Sequence, residues 1–191
     1  LLEAGDDPEL MAQAQAGDRA AFDSLVRRHY EAVLTYAYKV TGDDDRALEV
    51  AQESFVRAFR YRASFKPAAG SVRGWIFSIA ANRIKDAARR RRSEPGSLDN
   101  APEPKAPSGE GAVEVFARSA RRDAILAALD ALPADYKEIM VLRYLSELSY
   151  EEVATALKLT IGAVRMRALR ARELLASALG SDLDPSEGTA R

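Results

Sequence analysis

The 191-residue sequence contains no cysteine, which excludes disulfides and thiolate zinc sites and fits a cytoplasmic compartment. It has one histidine and one tryptophan. No apolar run approaches the roughly 20 residues needed to span a bilayer, so membrane insertion is not expected. No charged-then-apolar leader is read at the start. The chain opens Leu1-Leu2 rather than with Met, so a missing or altered start is expected. No phosphate-binding glycine loop, nucleophile elbow or zinc spacing occurs. The sequence therefore offers no catalytic residue, metal site or cofactor site, and an enzyme reading has no constellation to rest on. It also offers no convincing strand and no internal repeat.

What is present is charge: 30% of residues are Asp, Glu, Lys or Arg, with a net charge of only −1. The balance hides a strong polarity. Residues 1–53 hold 5 basic and 12 acidic side chains, whereas 54–92 hold 11 basic and 1 acidic. Residues 93–117 turn acidic again, and four arginines crowd into Arg165–Arg172. Such blocks suit a protein that meets phosphate with one surface and a different partner with another.

Nearly every periodic segment reads as helix. Asp7-Pro8 looks like a cap followed by a first-turn proline, with Gly17 closing that helix. Asp18 caps a longer one, in which Phe22, Leu25, Val26, Tyr30, Val33, Leu34, Ala37 and Val40 recur at helical steps until Gly42. Asp43-Asp44-Asp45 opens the next, with Ala47, Ala51, Phe55 and Ala58 on one face. Pro67 and Gly70 mark a loop between Arg62 and Ser71. Helix resumes with Val72, Trp75, Ile76, Ile79, Ala80 and Ile84, ending in Arg89 to Arg92. Residues 93–112, rich in Pro, Gly and Ser, cannot bury enough apolar surface to offset their ordering entropy and read as a flexible linker. Helices return at about Val113. Ile125, Leu126, Leu129 and Leu132 form one stripe, and Pro133 starts the next, with Ile139, Met140, Leu142 and Leu145. The expected architecture is all-α: a helical domain over 1–92, the linker, a second helical domain over 113–179, and a disordered tail over 180–191.

Three clusters carry functional meaning. Ser149-Tyr150-Glu151-Glu152 is a capping box. It opens a helix with Val153, Ala154 and Leu157; Leu159 lies in the turn, and Val164 faces back from a second helix. This is the pattern of a helix-turn-helix. The second helix, from Ile161, has short Gly162 and Ala163 where bases must be approached, then Arg165, Arg167, Arg170 and Arg172 for phosphates and guanine edges. The competing reading is a helical hairpin with a solvated basic face. The second cluster interleaves cations and rings: Arg57, Phe59, Arg60, Tyr61, Arg62, Phe65, Lys66, Arg73, Trp75 and Phe77. A cationic track with aromatic platforms holds single-stranded nucleic acid. Phe55 and Trp75 sit on apolar stripes and read as core, leaving Phe65, in the loop, as the stacking candidate. Arg83, Lys85, Arg89 and Arg90 prolong the positive surface. The third cluster, Asp43, Asp44, Asp45, Glu49 and Glu53, caps a helix and favours its dipole, without the histidine or loop glycine a metal cage needs. His29, between Arg28 and Tyr30, is expected at the surface or its boundary.

In order along the chain, the stretches Phe22-Asp-Ser-Leu-Val-Arg-Arg-His-Tyr30, Ala51-Gln-Glu-Ser-Phe-Val-Arg-Ala-Phe59, Arg73-Gly-Trp-Ile-Phe-Ser-Ile-Ala-Ala-Asn82, Ala131-Leu-Pro-Ala-Asp-Tyr136, Leu148-Ser-Tyr-Glu-Glu-Val-Ala154 and Val164-Arg-Met-Arg-Ala-Leu-Arg-Ala-Arg172 resemble the extracytoplasmic-function group of RNA polymerase sigma factors. The resemblance implies a non-enzymatic transcription initiation factor. Asp45, Glu49, Gln52 and Glu53 would dock on a coiled coil of the largest subunit of core RNA polymerase. Phe65, Lys66, Arg73, Asn82, Arg83, Asp86, Arg89 and Arg90 would read the melted minus-ten element of promoter DNA. Ile161, Gly162, Ala163, Arg165, Met166, Arg167, Arg170 and Arg172 would enter the major groove at the minus-thirty-five element. The linker would thread toward the active cleft and RNA exit path, and an anti-sigma factor is the implied regulator.

The sequence departs from the family pattern in places. Leu48-Glu49 stands where an acidic residue followed by aspartate is usual, which would re-tune docking. Lys158 replaces a turn glycine, so its backbone must avoid left-handed geometry or accept strain. Ala168 replaces a leucine, with Leu169 one step on. Met166 replaces a small polar residue. The alternative function is a stand-alone helix-turn-helix regulator whose N-terminal bundle senses a ligand or dimerises; it would require a palindromic site and a symmetric dimer.

Overall fold

The structure, a computed structural model, describes residues 5–93 and 124–179. The linker expected over 93–112, the helix start near Val113 and the tail over 180–191 lie outside the described residues, Ser93 apart. Among the described residues the secondary structure is helical, with no strand.

Helix α1 (Asp7–Gln15) is capped by Asp6, whose carboxylate accepts from the Glu9 amide at 2.9 Å. The cap therefore lies one residue before the expected Asp7. Asp7 instead reaches α2, pairing with Arg28 at 2.5 Å and His29 at 2.6 Å. Helix α2 (Arg19–Thr41) starts at Asp18, which accepts from the Ala20 and Ala21 amides, and stops at Gly42, whose φ of 68° is the left-handed stop that glycine takes without strain. Its buried face carries Phe22, Leu25, Val33, Tyr36 and Ala37. Helix α3 (Asp44–Tyr61) is capped by Asp43 and buries Ala47, Val50, Ala51, Phe55 and Ala58. Small residues on that face let α2 and α3 approach closely, and Phe22 meets Phe59 edge-on at 5.1 Å.

Two short 3-10 turns, Arg62–Ser64 and Pro67–Ala69, carry the chain into α4 (Val72–Ser93). Helix α4 buries Val72, Ile76, Phe77, Ala80 and Ala81. Each large side chain so buried stabilises by about 1.5–3 kcal/mol. Together α1 to α4 form the N-terminal bundle.

The C-terminal module begins with a short helix, α5, over 124–130. Pro133 then precedes α6 (Ala134–Met140), as its fixed φ suits a helix start. Helix α6 widens into a π-turn, Val141–Leu145, closed by the Ser146 amide on the Val141 carbonyl at 2.9 Å. Ile139, Met140, Val141 and Leu142 are all buried there, while Leu145 is exposed. Helices α7 (Tyr150–Leu157) and α8 (Ile161–Leu179) follow, burying Val153 and Leu157 from the first and Val164, Ala168 and Ala171 from the second. Both halves of the capping box are made: Glu152 N–H to Ser149 Oγ at 3.1 Å, and Ser149 N–H to Glu152 Oε2 at 2.8 Å. The turn adopts the left-handed geometry: Lys158 has φ 56° and ψ 44°, and the Leu159 amide returns to the Ala154 carbonyl at 3.0 Å. The chain has accepted the strain.

Candidate nucleic-acid and polymerase interfaces

The outer side of α8 is built for approach. Val164, Ala168, Ala171 and Leu175 face the core, so the intervening positions project outward. Ile161 and Met166 are exposed, Met166 by half of its surface. A Cβ placed on Gly162 would meet nothing within 4 Å. Arg165 and Arg170 are exposed, whereas Ala163, Arg167 and Arg172 are half-buried. Arg165 lies over the Tyr150 ring at 5.6 Å and near Glu151, and Arg167 lies 3.4 Å from Asp135. Arg143 also lies over Tyr150, at 5.1 Å, adding a cation beside the first turn of α7. Arg143 carries no local signal of this role in the sequence, because the ring it shares with Arg165 comes from another helix. Ala168 is fully buried and Leu169 exposed. At the expected leucine position the small residue thus brings α8 close to its neighbours.

The basic-aromatic block divides. Phe65, expected to be available for stacking, is 7% exposed and packs on Trp75 with ring centroids 5.5 Å apart. The loop folds back because the Gln15 amide group donates to the Arg62 and Phe65 carbonyls at 2.8 and 2.9 Å. Arg83, expected on the positive surface, is 4% exposed and pairs with Glu53. Glu53 is also 3.5 Å from Arg57, so this carboxylate ties α3 to α4 rather than standing free for a partner. Phe65 and Arg83 therefore support the surface from below. Lys66, Arg89 and Arg90 are exposed, and Asn82, Asp86 and Arg73 half-buried.

Helix α3 turns Asp45, Glu49 and Gln52 outward, together with exposed Leu48 and Val56. An acidic rim beside an apolar stripe is the composition of a helix-docking face. His29, expected near the surface, is 5% exposed. Burial lowers its pKa, outweighing the pull of the Asp7 carboxylate and its hydrogen bond. Among the described residues no cluster of three or more acids and histidines could hold a metal, and no helix is long and apolar enough to cross a membrane.

The chain as a whole is similar to known proteins. Residues 25–94 match the family Sigma-70 region 2, and residues 122–175 match Sigma-70, region 4. The chain is 35% identical to the ECF RNA polymerase sigma factor SigE of Mycolicibacterium smegmatis, over 91% of this chain and 69% of that protein. It is 33% identical to the RNA polymerase sigma-H factor of Pseudomonas aeruginosa, over 94% and 96%. With the ECF RNA polymerase sigma-E factor of Escherichia coli K12 it shares 32% identity over 88% and 92%. Among solved structures, CnrH in complex with the cytosolic domain of CnrY superposes with a TM-score of 0.67 at 28% identity, covering 93% of this chain and 99% of that one. The sigma factor RpoE of Bartonella quintana, in complex with the anti-sigma factor NepR, shares the fold (TM-score 0.65, 23% identity, 85% and 98% covered). An acidic helix, a basic helix and a helix-turn-helix thus stand in one chain, in the order of regions 2 and 4: the protein belongs to the ECF group of RNA polymerase sigma factors, which are initiation factors and not enzymes.

Proposed function

We propose that the three surfaces divide the work of promoter recognition. The outer face of α3, with Asp45, Glu49 and Gln52, docks on the coiled coil of the largest polymerase subunit; Glu53 shapes that face through its pairs with Arg57 and Arg83. Lys66, Arg73, Asn82, Asp86, Arg89 and Arg90 engage the separated strand of the minus-ten element, on a base held by Phe65 and Arg83. Helix α8 enters the major groove of the minus-thirty-five element. Ile161, Gly162, Ala163 and Met166 face the bases there, and Arg165, Arg167, Arg170 and Arg172 the phosphates and guanine edges. The observation that carries this reading is the exposure of the α8 N-terminal half, where nothing stands over Gly162. Residues 1–92 and 113–179 are the two working domains, joined by a tether that raises the effective concentration of each once the other is bound. The protein acts in the cytoplasm. An anti-sigma factor holds it inactive, as the solved complex of the Bartonella quintana factor supports.

Footprinting of the reconstituted holoenzyme tests the division. Arg165→Ala with Arg170→Ala removes protection over the upstream element. Asn82→Ala leaves upstream protection intact and reduces permanganate reactivity of the melted thymines. Loss of both signals in both variants would contradict it.

A further inference from the structure

The segment between α3 and α4 has little regular structure of its own. Two 3-10 turns, Arg62–Ser64 and Pro67–Ala69, flank exposed Lys66. Its shape is set by the end of α1, 47 to 50 residues earlier. Both N–H bonds of the Gln15 side-chain amide are used there: one meets the Arg62 carbonyl at 2.8 Å, the other the Phe65 carbonyl at 2.9 Å. Arg62 answers in the opposite direction. Its Nε donates to the Ala14 carbonyl at 2.9 Å and its Nη1 to the Phe59 carbonyl at 2.6 Å, while the guanidinium lies 4.1 Å from the centroid of the Phe59 ring. The last turn of α1 has no basic residue, so the cation that suits a helix C-terminus comes from the end of α3. Gln15 and Arg62 form a reciprocal clamp, in which each side chain holds the backbone of the other element.

Helix α1 has other anchors. Leu10, Met11 and Ala14 are buried, and Asp7 pairs with Arg28 and His29 at the opposite end. The loop has few. Among the described side chains of residues 62–70 only Phe65 is buried, where it packs on Trp75. A segment with so little buried surface belongs to the easily opened part of a fold unless something fixes its backbone. The clamp therefore does more for the loop than for α1. It also lies partly outside the residues 25–94 that match Sigma-70 region 2, since α1 precedes them.

We propose that Gln15 is a positioning residue for promoter opening: through the Gln15–Arg62 clamp, α1 pre-sets the 62–66 segment so that Lys66 and the start of α4 meet the separated strand without first having to order the loop. The inference rests on the assignment of this segment and α4 to the minus-ten element. Gln15 acts through the loop backbone. When a binding-competent shape is only fractionally populated, apparent affinity falls by that fraction. Loosening the clamp thus weakens strand capture and leaves polymerase docking, on the outer face of α3, unchanged.

Gln15→Met keeps the length and helix preference of an exposed side chain and removes both donors. Arg62→Lys keeps the charge and loses the planar fork. In the free full-length variants the Phe65 amide, bonded to the Arg62 carbonyl at 3.1 Å, exchanges hydrogen faster, while interior amides of α2 and α3 keep their protection. In holoenzyme at saturating protein each variant lowers permanganate reactivity of the melted thymines about five- to tenfold. Affinity for core polymerase and protection over the upstream element stay at the wild-type level. The double variant falls no further than about tenfold, because either change alone opens the clamp. Wild-type opening by Gln15→Met, a matching loss of core affinity, or losses that multiply in the double variant would each overturn the proposal. Failure of the underlying minus-ten reading shows separately, as normal strand opening when Lys66 and Asn82 are both replaced by alanine.

Discussion

Replacing Lys158 by glycine should stabilise the C-terminal module. Lys158 is an exposed residue held at φ 56°, ψ 44°, between α7 and α8. A side chain in this left-handed geometry costs roughly 1–2 kcal/mol, because Cβ crowds the following carbonyl. Glycine removes that cost but adds about 0.4–1 kcal/mol of unfolded-state entropy. The difference centres on a gain of about 0.8 kcal/mol, between limits of roughly 0 and 1.6 kcal/mol. The turn's hydrogen bonds, Leu159 N–H to Ala154 O at 3.0 Å and Lys158 N–H to Thr155 O at 3.4 Å, are backbone bonds and survive the change. Alanine serves as the control: it keeps Cβ, hence the strain, and should leave stability nearly unchanged. The assay is urea denaturation of the full chain, with hydrogen exchange at α7 amides reporting the module itself. A loss of stability in Lys158→Gly, or an equal gain in Lys158→Ala, would refute the reasoning.

Three further outcomes follow from the structure. Arg83→Ala removes a buried guanidinium and its packing between α3 and α4, and should cost about 2–3 kcal/mol in urea denaturation; a cost below about 0.5 kcal/mol would show the Glu53 pair to be incidental. His29 has its folded-state pKa lowered by burial, so the folded chain binds fewer protons than the unfolded one. Its contribution is therefore intact above the unfolded value of about 6.5 and is lost as pH falls below it; relative to His29→Gln, wild type should weaken between pH 7 and pH 5, and a relative gain on acidification would reverse the sign. The free chain should bind duplex promoter fragments poorly in fluorescence anisotropy, because the acidic 1–53 block repels phosphate. Tight, sequence-specific binding without polymerase would count against that balance.

Helix identity was readable because apolar residues recur at helical spacing and because Asp18, Asp43 and Ser149 cap where local chemistry demands it. The helix-turn-helix was readable for the same reason: its capping box and its core positions are local. Burial of particular polar and aromatic groups was not. Arg83 meets Glu53 30 residues away, and His29 meets Asp7 22 residues away, so a charge in a basic run gives no sign that it will be paired and enclosed. Phe65 turned inward because Gln15, 50 residues earlier, holds its carbonyl. The π-turn at Val141–Leu145 has no local marker, since four successive apolar residues fit a buried helix equally well. Contacts between the modules, the Tyr36 hydroxyl on Glu138 and the Arg73 guanidinium on the Ser146 carbonyl, join residues 102 and 73 positions apart and are equally invisible in any window of sequence.

Run-off transcription with core polymerase, with and without this chain, on a library of promoter fragments tests the central claim most directly. Transcripts should start only when the chain is added, from fragments carrying two dissimilar elements, and should be lost when Arg165 and Arg170 are replaced by alanine. Transcription that is unchanged by the chain on every fragment, or tight binding of a symmetric dimer to palindromic sites without polymerase, would contradict it.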